Sequence, residues 1–173
     1  MELLPFTAAD ATTVAGWPTS LAEVAMWCGR REFPVSEETV RAWQKGDDVR
    51  AHLLVADGTP LGYGELWFDE EEDEVELARI IVAPMARGKG VGRALVRELL
   101  ARALQAGYED VFMRVHPDND PAVRCYRGAG FVPVDADLAR SWNSVQPVAY
   151  TWLRNEVGNH LKNQLGNAAE EPA

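Results

Sequence analysis

Val82-Ala83-Pro84-Met85-Ala86-Arg87-Gly88-Lys89-Gly90-Val91-Gly92-Arg93-Ala94-Leu95-Val96 is the stretch on which the reading of this chain turns. The apolar run Ile80-Ile81-Val82 reads as a strand that stops at Pro84. A loop with glycine at 88, 90 and 92 then opens into a helix with apolar residues at 91, 95, 99 and 103 and at 96, 100 and 104. Glycine lets backbone approach a ligand, and a first helical turn offers N–H groups without intrahelical partners. The positive end of the helix and the basic Arg87, Lys89 and Arg93 complete a cradle suited to a phosphorylated group. Two familiar nucleotide motifs do not fit. Gly-x-Gly-x-x-Gly needs glycine where Arg93 stands, and a Walker loop needs Ser or Thr where Gly90 follows Lys89.

At 173 residues the chain is most simply one domain, spanning 1–154, with a polar tail over 155–173. The tail lacks a sustained apolar stripe and is expected to be frayed, or at most a short helix around 159–165. A composition of 47% hydrophobic and 25% charged residues is that of a globular protein, and no apolar run reaches the length of a membrane span. The N-terminus lacks the basic start and apolar core of a signal peptide. Cys28 and Cys125 form no metal-ligand spacing and read as free thiols, so a reducing cytoplasm is the expected location and no metal is expected. The net charge of −10 excludes a nucleic-acid partner, which needs a basic surface. It suits instead an anionic ligand at the 87–93 loop and a cationic second substrate elsewhere.

Periodicity places strands at 2–6, 50–56, 61–68, 75–82, 110–115, 131–134 and 145–153. Helices are expected after Thr7 or Asp10 to Gly16, over 20–28, 36–43, 90–106 and 121–129, with a looser stretch over 135–144. A hairpin meander feeding β-α-β units gives an α/β (α+β) fold: a mixed, mostly antiparallel central sheet flanked by helices on both faces.

A second motif lies downstream in Val115-His116-Pro117-Asp118-Asn119-Asp120-Pro121-Ala122-Val123-Arg124-Cys125-Tyr126-Arg127-Gly128-Ala129-Gly130-Phe131. Ala122 and Tyr126 share a helix face, and Asn119 stands just before that helix. Taken alone, Asn119 reads equally well as a cap and Tyr126 as core. With the glycine loop, the order and spacing over 62–134 resemble the Gcn5-related N-acetyltransferase (GNAT) superfamily.

The resemblance implies an N-acetyltransferase that moves an acetyl group from acetyl-CoA to a primary amine through a ternary complex. It implies that Ile80, Ile81 and Val82 pair with the pantetheine like an added strand, with the Val82 N–H as oxyanion donor. Gly88, Lys89, Gly90, Val91, Gly92 and Arg93 would hold the pyrophosphate, Arg87 would add a charged hydrogen bond, and Asn119 and Tyr126 would complete the cofactor site. Tyr126 would be the general acid for the departing thiolate.

For the base, alternation puts Glu74, Glu76, Ala78, Ile80 and Val82 on one face unless a bulge intervenes, and makes Glu76 the candidate. Glu65 is the runner-up, and His116 reads better as a strand terminus. Glu65, Glu76 and the acidic run 69–74 are the carboxylates expected to draw a cationic amine. Cys125 is read as a packing residue. A catalytically silent acyl-CoA-binding sensor module is the alternative function, and a homodimer is left open.

Overall fold

The computed structural model describes residues 1–155; the expectations for 156–173, including a helix around 159–165, lie outside the described residues. In chain order it contains β1 (Glu2–Pro5), α1 (Ala11–Ala15), α2 (Leu21–Cys28), α3 (Glu37–Ala42), β2 (Val49–Ala56), β3 (Thr59–Asp69) and β4 (Glu74–Val82). There follow α4 (Val91–Gln105), β5 (Asp110–Val115), α5 (Asp120–Arg127), β6 (Phe131–Pro133), α6 (Ala136–Asn143) and β7 (Thr151–Asn155). The strands form one sheet in the order β1-β2-β3-β4-β5-β7-β6, with only β4–β5 parallel. That parallel pairing is brief. It joins Glu74–Glu76 to Asp110–Phe112 and goes no further, so the two strands part beyond Glu76.

Helix α4 carries the apolar stripe Val91, Leu95, Leu99 and Ala103, all buried, onto one face of the sheet. Room for it comes from Gly64 on β3, where a Cβ would sit 2.6 Å from Leu99 Cδ1. Neighbouring side chains along β3 point the other way. Tyr63 therefore meets Phe6 at 5.3 Å and Trp27 of α2 at 6.4 Å between ring centroids on the opposite face. Helix α6 covers the same opposite face through Trp142, whose ring lies 5.6 Å from Phe112 and 4.9 Å from Trp152. Helices therefore lie on both faces.

Three local expectations are corrected. The stretch 135–144 is not loose. Asp135 caps α6 by accepting from the Asp137 and Leu138 N–H groups, and Trp142 seats the helix on the sheet. The last strand starts at Thr151 rather than at Val145, which is 83% exposed. Asn155 belongs to that strand and not to the tail: its Oδ1 accepts from Val111 N–H and its Nδ2 donates to Glu109 C=O.

The chain also departs from simple alternation in β4. Tyr63 pairs with Ile81 and Glu65 with Ala78, so Arg79 and Ile80 together oppose Gly64. This is a β-bulge, and Arg79 takes φ +45 to make it. Trp27 Nε1 donates to the Arg79 carbonyl at 2.7 Å, fixing α2 against the bulge. As a result Glu76 and Ala78 face the α2 side with Glu65, whereas Ile80 and Val82 face α4. The expected common face for 74, 76, 78, 80 and 82 does not exist. No helix of the described residues is long and apolar enough to cross a membrane.

Candidate functional site

After β4 a single 3-10 turn, Pro84–Ala86, redirects the backbone into the glycine loop. Gly88 adopts φ +74 and Gly90 φ +81, and nothing lies within 4 Å of where a Cβ at either would stand. Gly90 is the N-cap of α4, so the N–H groups of Val91, Gly92 and Arg93 open this terminus toward the space beside the loop. Val91 itself is buried and pins the helix start to the core. Gly92 lets α5 approach closely, since a Cβ there would meet Cys125 Sγ at 3.2 Å.

The edge of β4 supplies the second wall. Ala83 N–H bonds Leu61 C=O on β3 at 2.9 Å, so by strand alternation the Val82 amide points to the other side. There β5 has already diverged. The Val82 carbonyl on that side accepts from Arg87 Nε at 3.1 Å.

These walls enclose a cavity of about 660 Å³, which Ile80, Ile81, Val82, Arg87, Gly88, Gly90, Gly92, Arg93, Asn119 and Tyr126 all line. Of the cofactor-binding residues expected from sequence, only Lys89, which is exposed, and Val91, whose side chain is core, do not line it. A recess of about 40 Å³ continues between β4 and β5, and Met26, Trp27, Ile80, Asn119 and Tyr126 line both spaces.

Several side chains do work the sequence did not disclose. Arg87 lines the cavity, but its fork is engaged: besides Val82 C=O it donates to Glu23 Oε1 at 2.7 Å and to Trp17 C=O at 3.1 Å. It braces α2 against the loop. The Thr19 and Arg87 hydrogen bonds overcome burial to hold the Glu23 carboxyl below its usual range. Asn119 caps α5, its Oδ1 accepting from Ala122 N–H at 3.2 Å. Tyr126 has its ionisation pushed up by burial and, secondarily, by Cys125, so the hydroxyl keeps its proton at neutral pH. Burial also raises the Cys125 thiol, which makes it a poor nucleophile.

Neither candidate carboxylate lines the cavity or the recess. Glu65 is fully buried and accepts from the Tyr63 hydroxyl, from Trp67 Nε1 at 2.6 Å and from Arg79 Nη1 at 2.9 Å. Burial pushes its carboxyl upward despite these partners. Glu76 pairs with Arg114 Nε at 2.9 Å, and burial pushes it up to about 7. The acidic turn after Asp69 is at the far end of β4, roughly 25 Å from Val82 at about 3.3 Å per residue. His116 reaches the recess, with Nδ1 accepting from Asp118 N–H at 3.3 Å, whereas His52 is buried in the sheet.

Of Trp17, Trp27 and Trp43, which the sequence offers as lining for an acceptor pocket, Trp27 lines both spaces and the other two line neither; Met26 of α2, Arg79 and Arg114, which also line the recess, were not singled out from the sequence. No local signal marks residues that meet across the sheet.

Comparison with known proteins bears on the same residues. The model of the acetyltransferase (GNAT) family matches residues 19–131. The chain is 35% identical over 92 residues to a mycothiol acetyltransferase of Actinosynnema mirum, covering 53% of this chain and 31% of that protein. It is 32% identical over 98 residues to the streptothricin acetyltransferase of Streptomyces lavendulae, covering 55% and 52%. The chain thus spans about half, or less, of the length of these curated relatives. In fold it is similar to a spermidine N-acetyltransferase of Vibrio cholerae solved with CoA and spermine, at a TM-score of 0.67 and 20% identity over 78% of this chain and 82% of that one. It is also similar to the aminoglycoside acetyltransferase AAC(6')-Ib solved with coenzyme A and kanamycin, at a TM-score of 0.67 and 20% identity over 88% and 92%.

Proposed function

The chain belongs to the acetyltransferase (GNAT) family, and from that premise we propose that it transfers an acetyl group from acetyl-CoA to a primary amine. One observation carries the reading. The open loop at Gly88 and Gly90, the uncapped start of α4, the free edge of β4 and the Tyr126 ring all meet in a single cavity of about 660 Å³. The residues present fit coenzyme A. The loop and the first-turn amides of α4 suit the pyrophosphate, and the β4 edge suits the amide-rich pantetheine arm. When bound, acetyl-CoA supplies an activated thioester, so that an N–C bond forms as the C–S bond breaks and the coenzyme leaves as its thiol.

The protein's part is orientation and proton transfer. The Val82 N–H is aimed to donate to the thioester oxygen, a role that contributes about 3–4 kcal/mol where such donors have been removed. The Tyr126 hydroxyl donates the proton that the leaving sulfur takes up. Glu76 accepts the proton of the incoming ammonium through a chain of waters, from the side of the sheet on which α2 and α6 lie. The site operates in the cytoplasm, where Cys28 and Cys125 remain thiols.

Mixing the purified chain with acetyl-CoA and a panel of amines, with thiol release and acetylated product followed by mass spectrometry, tests the reading. Release that depends on an amine is expected. Tight coenzyme A binding without turnover of any amine overturns it in favour of a silent binding module.

The base assignment has a pH signature. A carboxyl raised from 4.5 to about 7 is deprotonated only as pH climbs past neutrality, so kcat/KM should rise along an acidic limb with an apparent pKa near 7. The stability contribution has the opposite sense. Because the folded pKa lies above the unfolded one, it is full below about pH 4.5 and is lost as pH rises through 7. Glu76→Gln should abolish the limb and lower kcat/KM by about 10²–10⁴ at pH 8. An unchanged limb in that variant excludes Glu76.

A further inference from the structure

We propose that the acceptor amine also carries a carboxylate, held by Arg79 and Arg114 at the opening between β4 and β5, so that the substrate is an amino-acid-like zwitterion. The proposal rests on the acetyltransferase reading above and names the substrate class for that site.

The recess adjoins the reaction centre because it shares Tyr126, Asn119 and Ile80 with the main cavity. Its volume of about 40 Å³ is about three times the ~10–15 Å³ that one water needs, which is room for a carboxylate. The ionisable side chains lining it are Arg79, Arg114, His116 and Tyr126, and no aspartate or glutamate lines it.

Each arginine does have an acidic partner, but the partners are turned inward. Glu65 is 0% exposed against 21% for Arg79, and Glu76 13% against 27% for Arg114. The opening therefore meets guanidinium donors, with the carboxylates behind them.

Both guanidinium groups are preorganised. Arg79 lies 4.2 Å above the Trp43 ring and 4.8 Å from Trp67, with Nη1 on Glu65. Arg114 is bracketed by Trp67, Tyr150 and Trp152 at 5.6–5.9 Å, with Nε on Glu76 and Nη1 on Gln146. Stacked, anchored arginines lose little freedom on binding and match a planar anion with their remaining N–H donors. Burial pushes Glu76 up to about 7, which leaves the Arg114 charge less compensated near neutrality. The exposed Asp118 lies beside His116 at this end, with a carboxylate oxygen 3.8 Å from Nδ1. A polyamine would instead place an ammonium against two guanidinium groups, and like charges brought together oppose binding.

Matched pairs test the idea on the full chain with acetyl-CoA: L-phenylalanine against phenethylamine, and L-lysine against cadaverine, with spermidine alongside. The carboxylate-bearing member of each pair should show at least 10-fold higher kcat/KM. In calorimetry on the chain saturated with coenzyme A, Glu76→Gln should retain affinity for L-phenylalanine. The double variant Glu76→Gln with Arg114→Gln, which leaves no unpaired carboxylate, should lose at least 10-fold. Equal or better turnover of phenethylamine, cadaverine or spermidine overturns the proposal, as does undiminished affinity in the double variant. Neither result touches the acetyltransferase reading, which falls instead if no amine of any kind is turned over.

Discussion

Gly90→Val lowers affinity for coenzyme A by about 100-fold or more, roughly 2.8 kcal/mol at 1.4 kcal/mol per tenfold. Gly90 sits at φ +81 and ψ −2, a conformation that a β-branched residue adopts only under strain of about 1–3 kcal/mol. Two responses are open to the variant, and both damage the site. If the backbone holds, the isopropyl group stands in space that is empty within 4 Å of the Cβ position, where a phosphate would approach. If the backbone relaxes to negative φ, the first-turn amides of α4 rotate out of line. Gly107→Ala supplies the control: it carries the same kind of strain at φ +98, beyond the far end of α4. Calorimetry should find its coenzyme A affinity unchanged while its melting temperature falls. Wild-type affinity in Gly90→Val excludes the loop as the phosphate cradle.

Tyr126→Phe leaves coenzyme A affinity within about threefold but lowers kcat by about 10²–10⁴, the usual contribution of a positioned proton donor. The ring keeps its packing in the variant because α5 is held independently of the hydroxyl. Asn119 caps the helix, and Cys125 packs against Gly92 at the start of α4. What disappears is a proton that burial and Cys125 keep on the phenol, at the one side chain that joins the last turn of α5 to both the cavity and the recess. Pre-steady-state measurement must accompany kcat, since slow product release would mask the loss. A full chemical rate in Tyr126→Phe means that the hydroxyl is structural.

The glycine loop and the Asn119–Tyr126 segment were legible in the sequence because each is local. A helix start and the glycines before it are neighbours in the chain, and the physics that makes them a cradle needs no tertiary partner. The mixed, mostly antiparallel sheet followed from hairpin and β-α-β connectivity for the same reason, although the placing of β7 between β5 and β6 did not. The site's electrostatics were not legible. Arg87 looked like a free cation for a ligand, and only the folded chain brings Glu23 and the Trp17 carbonyl to its fork. Glu65 and Glu76 read as candidate bases open to an incoming amine, yet each is buried beside an arginine distant in sequence. Helix α6 was missed because two apolar residues, Leu138 and Trp142, make a weak periodic signal, and the rings that anchor Trp142 lie on other strands. Period-two counting failed along β4 because it cannot register a residue that occupies no rung of the ladder.

That residue, Arg79, is dispensable to the sheet. A chain lacking it would set Ile80 opposite Gly64, leave Ile81 opposite Tyr63 and Val82 opposite Gly62, and keep every later side chain on its present face. The deletion would heal the ladder and remove a left-handed backbone conformation in one step. It would also take away the carbonyl that receives Trp27 and the guanidinium that neutralises the buried Glu65. Counted in rungs alone the position is an insertion, and what holds it in the chain is what its carbonyl and guanidinium do off the ladder. Its presence identifies the place where β4 serves as more than a strand.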